Sequence, residues 1–291
     1  MLSEVKKLIT EQNYIVLENG AIIDKNFDFD NFVIEKDMNF VLFNHLSCNY
    51  EFNLEIKNNA NVRIIEISLL EKGAVLNKNI VCSENSSLEL VTFETGKDEA
   101  WVNVKTVLKD NSYINNKKIS LFESLVNEDD KVYLKGVKGN YFTLNVYVNS
   151  SNKKQNIDTT IYHQNTDTIS QLYNYGICKG TSILNINTNG VVEKGAVRSD
   201  LKQKSKGVLL DLESSISANP LLQIDEYDCL ASHGAGIGAI DEEDLYYLMS
   251  RGLTKQESEK LIIGGFVEPV YASLPEGKIK DFTRELVKKY L

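Results

Sequence analysis

The chain has 291 residues, enough for one large domain or two ordinary ones with a substantial core. Hydrophobic residues make up 42% and charged residues 25%, and the net charge of -9 argues against nucleic acid or an anionic membrane as the main partner. No apolar run approaches the roughly eighteen residues of a membrane span, and the N-terminus lacks a signal-peptide pattern. The four cysteines form no CxxC pair. These features predict a cytoplasmic protein with free thiols.

Short strand-like runs dominate most of the chain. Residues 1–13 are predicted to include a short N-terminal helix, because their apolar residues share one helical face. From Tyr14 onward, β-branched and aromatic residues alternate with polar ones in runs such as 62–67 and 141–148. We therefore predict a β core over residues 14–240.

The spacing of the corners indicates how these strands are connected. Small or polar residues recur at 59–60, 73–74, 86–87 and 111–112, which gives half-turns of about 13 residues and full turns of about 25. A strand repeat of this length is typical of a solenoid, so a parallel β-helix is the first prediction. An antiparallel sandwich stays open as the alternative, although these four corners carry no Asn-Gly or Asp-Gly hairpin turn.

Helix signals replace the strand pattern in residues 241–291. Asp241 is a predicted N-cap for a first helix. Thr254 and Glu257 form a capping box for a second helix, predicted to end at the glycines 264–265, and a third helix follows. Because solenoids need covered ends, this helical domain is predicted to cap the last turn.

The junction between the two patterns holds the residues best suited to chemistry. Cys229 and His233 lie four residues apart beside a glycine-rich stretch, and Glu226 and Asp228 add carboxylates. Imidazole and thiolate both bind iron, so the two are candidate metal ligands. One segment seldom supplies four ligands, so a site shared across a dimer interface is the expectation. The alternative is structural, with Cys229 as a core thiol and His233 as a hydrogen-bonded turn residue.

Several enzyme motifs are absent from the sequence. Ser232 and His233 are adjacent and cannot by themselves form a triad, and no G-x-S-x-G elbow occurs. The glycines at 234, 236 and 238 lack the G-x-G-x-x-G order of a dinucleotide loop, and there is no Walker A sequence. No nucleotide-binding loop is therefore expected in this chain.

An ordered set of residues runs through this junction and the first helix. Ser-His-Gly-Ala at 232–235 is followed by Ile-Asp at 240–241 and by Leu-x-Tyr-Leu-x-Ser-Arg-Gly at 245–252. With this set, roughly residues 190–270 closely resemble the C-terminal half of the SufB/SufD family, scaffold subunits of the SUF iron–sulfur cluster assembly machinery.

The resemblance implies a fold, partners and a cargo. It implies a right-handed parallel β-helix with a C-terminal helical domain and no enzyme activity of its own. It implies an ABC-type ATPase partner, SufC, bound to the helical domain, where Tyr246, Tyr247, Arg251 and Gly252 are the expected contact residues. It also implies a dimer with an identical or SufB-type subunit, and a transient iron–sulfur cluster or iron held with the help of His233.

Two departures from the family pattern indicate which branch the chain resembles. Ala231 stands where the family has a cysteine before Ser-His, and Cys229, two residues earlier, keeps the same face of a strand. Leu248 stands where the SufB branch has a cysteine. The chain is therefore similar to SufD or to a short divergent form. Two further functions stay open, a polysaccharide-acting β-helix enzyme and a purely structural solenoid.

Overall fold

Regular secondary structure covers most of residues 12–290, the part of the chain described by the computed structural model. Within those residues the backbone forms eighteen strands and three helices. The strands are β1 (Tyr14–Glu18), β2 (Ala21–Lys25), β3 (Val33–Ile34), β4 (Met38–Leu46), β5 (Tyr50–Ile56), β6 (Asn61–Leu70), β7 (Val75–Cys82), β8 (Ser87–Gly96), β9 (Ala100–Leu108), β10 (Tyr113–Phe122), β11 (Val126–Leu134), β12 (Asn140–Asn149), β13 (Lys154–His163), β14 (Ile169–Cys178), β15 (Ile183–Val192), β16 (Ser199–Leu209), β17 (Ser215–Ile224) and β18 (Cys229–Ala239). The helices are α1 (Glu242–Ser250), α2 (Lys255–Tyr271) and α3 (Lys278–Lys288). The helix predicted within residues 1–13 falls largely on residues outside the described part.

The strands pair in two sheets that share the turns of one solenoid. The ten-stranded sheet has the order β18-β16-β14-β12-β10-β8-β6-β4-β1-β2, and the eight-stranded sheet has the order β17-β15-β13-β11-β9-β7-β5-β3. From β3 onward, consecutive strands alternate between the sheets, and each pairs in parallel with the strand two places away. This arrangement confirms the predicted parallel β-solenoid, and the antiparallel sandwich was wrong.

The corners of the solenoid explain the polar residues in the repeat. Asn59, Asn85 and Asn111 adopt φ of 66°, 57° and 53°, a left-handed conformation that asparagine tolerates better than most residues. Early turns take 26 residues, as between Asn61 and Ser87, and later turns lengthen to 31. The predicted period of about 25 therefore holds for the first turns only.

One antiparallel hairpin lies at the N-terminal end, where the sequence interpretation had none. Asn19 and Gly20 both have positive φ, 48° and 85°, and join β1 to β2. Asn-Gly at this place is the usual signal for a two-residue hairpin turn. Nearby, the rings of Phe27, Phe29 and Phe32 pack together and onto those of the first turns, which closes this end of the interior.

Helices α2 and α3 lie against the side of the solenoid. Ile263, Val267 and Val270 of α2 are buried with residues on the outer face of the ten-stranded sheet. The ring of Tyr271 stacks 6.5 Å from that of Phe93. The C-terminal helices follow the strand region, as the sequence predicted, and α2 and α3 cover the flank of the solenoid instead of its last turn alone. The outer face of this sheet is apolar on strands such as β6 and β8. Burying that face therefore stabilises the protein more than covering the last turn would.

The helix boundaries also differ from the prediction in two places. The capping box of Thr254 and Glu257 is present. However, α2 continues through the glycines at 264–265 to Tyr271, because its buried apolar residues extend beyond them and helical glycine costs only about 1 kcal/mol relative to alanine. Helix α3 then begins after Gly277, whose φ of 124° requires a residue without a side chain.

Candidate functional site

The last strand, β18, forms one free edge of the ten-stranded sheet. Within the described residues it pairs on one side only, with β16, so that His233 lies beside Gln203 and Cys229 beside Ser199. Gln203 and Ser199 are buried inside the solenoid. Because paired residues on adjacent strands point to the same face of a sheet, the side chains of His233 and Cys229 also point to the interior side. Because no further turn covers them, His233 is exposed and Cys229 is half-buried. The candidate ligands thus sit at the open end of the solenoid.

The backbone of His233 also faces the free edge. In earlier turns the opening residue of the strand donates its N–H to the preceding turn, as Asp200 does to the carbonyl of Thr168 at 2.9 Å. Leu230 occupies the same position beside Asp200. In a parallel pair of strands, successive residues direct their N–H groups to opposite sides. Even-numbered residues of β18 therefore donate to β16. The N–H groups of odd-numbered residues, such as His233 and Ala235, point to the free edge.

Cys229 fills a corner position that other turns fill with a hydroxyl. Its thiol donates to the carbonyl of Glu226, three residues earlier, at 3.2 Å. The hydroxyls of Ser112 and Ser199 make the same contact in their own turns, at 2.7 and 2.8 Å. Partial burial, followed by the carboxylates of Glu226 and Asp228, raises the pKa of Cys229. The corner hydrogen bond therefore favours a structural role for the Cys229 thiol. Because its pKa is raised, the thiol would ionise more readily only with a metal ion or another cation nearby.

The structure does not bring Cys229 and His233 together. Four residues along an extended strand span about 13 Å, whereas iron–ligand bonds are about 2 Å long. Across the described residues, no group of three or more His, Cys, Asp or Glu side chains is placed to hold a metal ion. Within the described residues of one copy, Cys229 and His233 therefore do not share a metal site.

Helix α1, which follows β18, presents most of its side chains to solvent. Asp241 caps it by accepting the N–H of Glu243 at 2.8 Å, as the sequence predicted. Tyr246 and Tyr247 are exposed, and the guanidinium of Arg251 lies 5.3 Å from the centre of the Tyr247 ring. Gly252 has a φ of 96° and ends the helical segment. All four expected contact residues are accessible on one short helix, which has no fully buried residue.

A second group of side chains lies inside the solenoid, and sequence reasoning missed it. Lys78 bonds Glu66 at 2.8 Å and Glu94 at 3.0 Å, and each of the three is at most 4% exposed. Further along the axis, Lys118 contacts Glu128 and lies 3.7 Å from Asp130. We call these six residues the lumen cluster. The signal in the sequence was a charged residue at an inward position of a strand, as Lys78 is between Leu76 and Ile80.

The described residues contain no helix that is both long and apolar enough to cross a membrane.

Comparison with known proteins places these features in a family context. Residues 47–266 match the family described as "SUF system FeS cluster assembly, SufBD core domain". The chain is 36% identical over 148 residues to the iron–sulfur cluster assembly protein SufD of Bacillus subtilis, a match covering 50% of this chain and 34% of that protein. SufD of Escherichia coli is 30% identical over 103 residues, which cover 35% of this chain and 24% of that protein. The SufBD family protein ycf24 of Galdieria sulphuraria is 25% identical over 210 residues, 70% of this chain and 82% of that protein.

Proposed function

Since the chain belongs to the SufBD family of iron–sulfur cluster assembly proteins, we propose that it acts as a non-enzymatic scaffold subunit of a cytoplasmic SUF complex. In this proposal β18 joins a second SufB/SufD-type subunit, α1 receives the SufC-type ATPase, and iron or an iron–sulfur cluster is the cargo. The observation that carries the proposal is the contrast between the two ends of the solenoid.

The open C-terminal end has the properties of a protein interface. Strands β17 and β18 each lack a partner on their outer side among the described residues. Large apolar side chains cluster there in exposed positions: Leu212, Leu221, Ile224, Tyr227, Leu230 and Ile237. Free strand edges and exposed apolar patches are both unfavourable in an isolated protein and mark surfaces that bind another chain. At the N-terminal end, packed phenylalanine rings close the interior, and the edge strands β2 and β3 expose fewer large apolar side chains, namely Ile22, Ile23 and Val33.

The charges around β18 favour a paralogous partner over a second copy. Asp225, Glu226 and Asp228 precede the strand, and four acidic residues at 241–244 follow it. If two copies paired antiparallel, the start of one β18 would lie near the end of the other, so acidic groups would meet twice. Arg198, which is bonded to Asp167, offsets only part of this charge. A SufB-type subunit with neutral or basic residues at these places would avoid the repulsion.

The cargo site is proposed to form across this interface. His233 turns its side chain toward the open interior and its backbone toward the edge, so a partner strand brings new donors close to its imidazole. Cys229 is about 13 Å from His233 in the same chain, too far for both to bind one metal ion. Cys229 can take part only if pairing with the partner strand brings it close to the partner's own ligands. His233 is therefore the principal ligand contributed by this chain.

Replacing His233 tests the cargo site directly. We expect His233→Ala to lower the iron and sulfide bound by the anaerobically assembled complex by about tenfold or more, because an imidazole ligand is lost. His45→Ala is the matched control, since His45 lies on β4 near the other end and pairs with Glu71. Iron and sulfide assays of the complex provide the measurement. Equal cargo in the His233 variant and wild type would remove His233 from the site.

Helix α1 supplies the test of ATPase docking. Exposed tyrosines beside an arginine are frequent energetic centres of interfaces, where truncation costs about 2 kcal/mol or more. We expect Arg251→Glu to weaken binding of the SufC-type ATPase by about 30-fold and to abolish co-purification at micromolar concentrations. Arg284→Glu on α3 is the control. If Arg284→Glu alone disrupts the complex, the ATPase binds the α2–α3 side instead.

A further inference from the structure

The lumen cluster contains more acidic than basic groups. Four carboxyl groups come from β6, β8 and β11, and two ammonium groups from β7 and β10. If all were ionised, the interior would carry two uncompensated negative charges. The other titratable groups facing them do not compensate. Tyr141 and Tyr147 of β12 stay neutral because burial raises their pKa, and burial lowers the pKa of His163, at the far end of β13, to about 4.

The unpaired atoms of the cluster are all carboxyl oxygens. Oε2 of Glu94, Oε2 of Glu128 and Oδ1 of Asp130 are buried and have no hydrogen-bond partner among the described residues. In addition, the carboxyl groups of Glu128 and Asp130 lie around the same ammonium group, that of Lys118. One ammonium group balances the charge of only one ionised carboxylate, so the pair carries excess negative charge unless it binds a proton. The cluster thus lacks hydrogen-bond donors and positive charge at the same place.

The surroundings limit what can supply them. A cavity of about 30 Å³ borders Glu94, Lys118 and Asp130. That volume holds about one or two water molecules and is too small for a hydrated metal ion. The ammonium groups of Lys78 and Lys118 also lie within 3.0 to 3.7 Å of the carboxylates, and they would repel a second cation. Water in the cavity can donate hydrogen bonds to the carboxyl oxygens but carries no charge, so protons are the remaining source of positive charge.

We propose that the centre of the lumen cluster is a proton-binding site in which Glu128 and Asp130 are both protonated in the folded chain near neutral pH. The protons reside on carboxyl oxygens of Glu128 and Asp130, and water in the cavity that Asp130 borders can accept from its proton. The site lies in the middle of the solenoid, away from β18 and α1, and does not depend on the scaffold function.

The direction of the pH dependence follows from the two carboxyl groups. Burial, with additional repulsion from neighbouring carboxylates, raises the pKa of Glu128 and Asp130 despite the nearby Lys118. The unfolded chain releases these protons near pH 4, whereas the folded chain keeps them to higher pH. Folding therefore takes up protons. The two carboxyl groups make their full contribution to the free energy of unfolding below their pKa in the unfolded chain, and they lose it as the pH rises toward their pKa in the folded chain.

Urea unfolding as a function of pH tests the proposal. Two bound protons make the unfolding equilibrium constant of wild type rise by about 100-fold per pH unit above about pH 5. Glu128→Gln and Asp130→Asn mimic the protonated groups, so each variant should show a rise of only about tenfold per pH unit in the unfolding equilibrium constant. The double variant should show no such rise. Asp129→Asn, on the exposed face of the same strand, should leave the slope unchanged. A slope that is equal in wild type and the double variant overturns the proposal.

An infrared measurement on wild type keeps the test independent of variant folding. At pH 7 the spectrum should contain the carbonyl absorption of protonated carboxylic acids, although the exposed carboxylates are ionised. A spectrum with only ionised carboxylate absorptions would overturn the proposal even if neither variant folds.

Discussion

Lys78→Met is expected to lower the free energy of unfolding by about 3–5 kcal/mol, the usual cost of removing one partner from a buried ion pair. The substitution keeps most of the side-chain volume but removes the cation that bonds both Glu66 and Glu94. In the native chain these two carboxylates hold the pKa of Lys78 above its usual value, although burial by itself would lower it. In the variant they face each other without a counter-charge and cannot be hydrated.

Urea unfolding followed by circular dichroism measures this effect, and two controls separate charge from packing. Lys131→Met removes an exposed lysine bonded to Asp129 at 2.6 Å and should cost no more than about 1 kcal/mol. The triple variant Lys78→Met with Glu66→Gln and Glu94→Gln should recover most of the loss, because the two carboxylates that lost their cation are then replaced by neutral amides. A Lys78→Met variant within about 1 kcal/mol of wild type would mean that the cluster is hydrated in solution.

Ala235→Pro is expected to weaken the proposed pairing of β18 with a SufB-type subunit by about 30-fold or more. The N–H of Ala235 faces the free edge, and proline removes that donor and places its ring where the partner strand would lie. Losing one or two interface hydrogen bonds with the accompanying clash costs about 2 kcal/mol, and each 1.4 kcal/mol is tenfold in affinity. The bonds between β16 and β18 use the even-numbered residues and are retained.

Sedimentation analysis with a SufB-type subunit, and with the chain alone, provides the measurement. Ala235→Ser is the matched control, since it changes the same position but keeps the N–H, and it should associate as wild type does. Circular dichroism confirms that the proline variant is folded. If Ala235→Pro pairs with unchanged affinity, β18 is not the joining strand, and the exposed face of α1 becomes the candidate interface.

The sequence alone was sufficient for the fold class, and it nominated a candidate site that stays a prediction. Alternating apolar residues and a repeated polar corner, such as Asn59, encode a turn of a solenoid locally, because each turn contacts only its neighbours. The same holds for the capping box at Thr254, which depends on residues three positions apart. His233 and Cys229 were recognisable because histidine and cysteine are rare in this chain and lie together at the change of pattern.

Only the tertiary structure decided what each of these residues faces. The helical domain covers the flank because apolar area on the outer sheet face, spread over many turns, attracts it, and no local pattern records that area. Lys78, Glu94 and Lys118 meet because strands far apart in sequence share one interior. The separation of Cys229 from His233 is likewise a consequence of an extended strand. Local sequence determines the turn and its corners, whereas the free edge and the buried charges arise from how the turns stack.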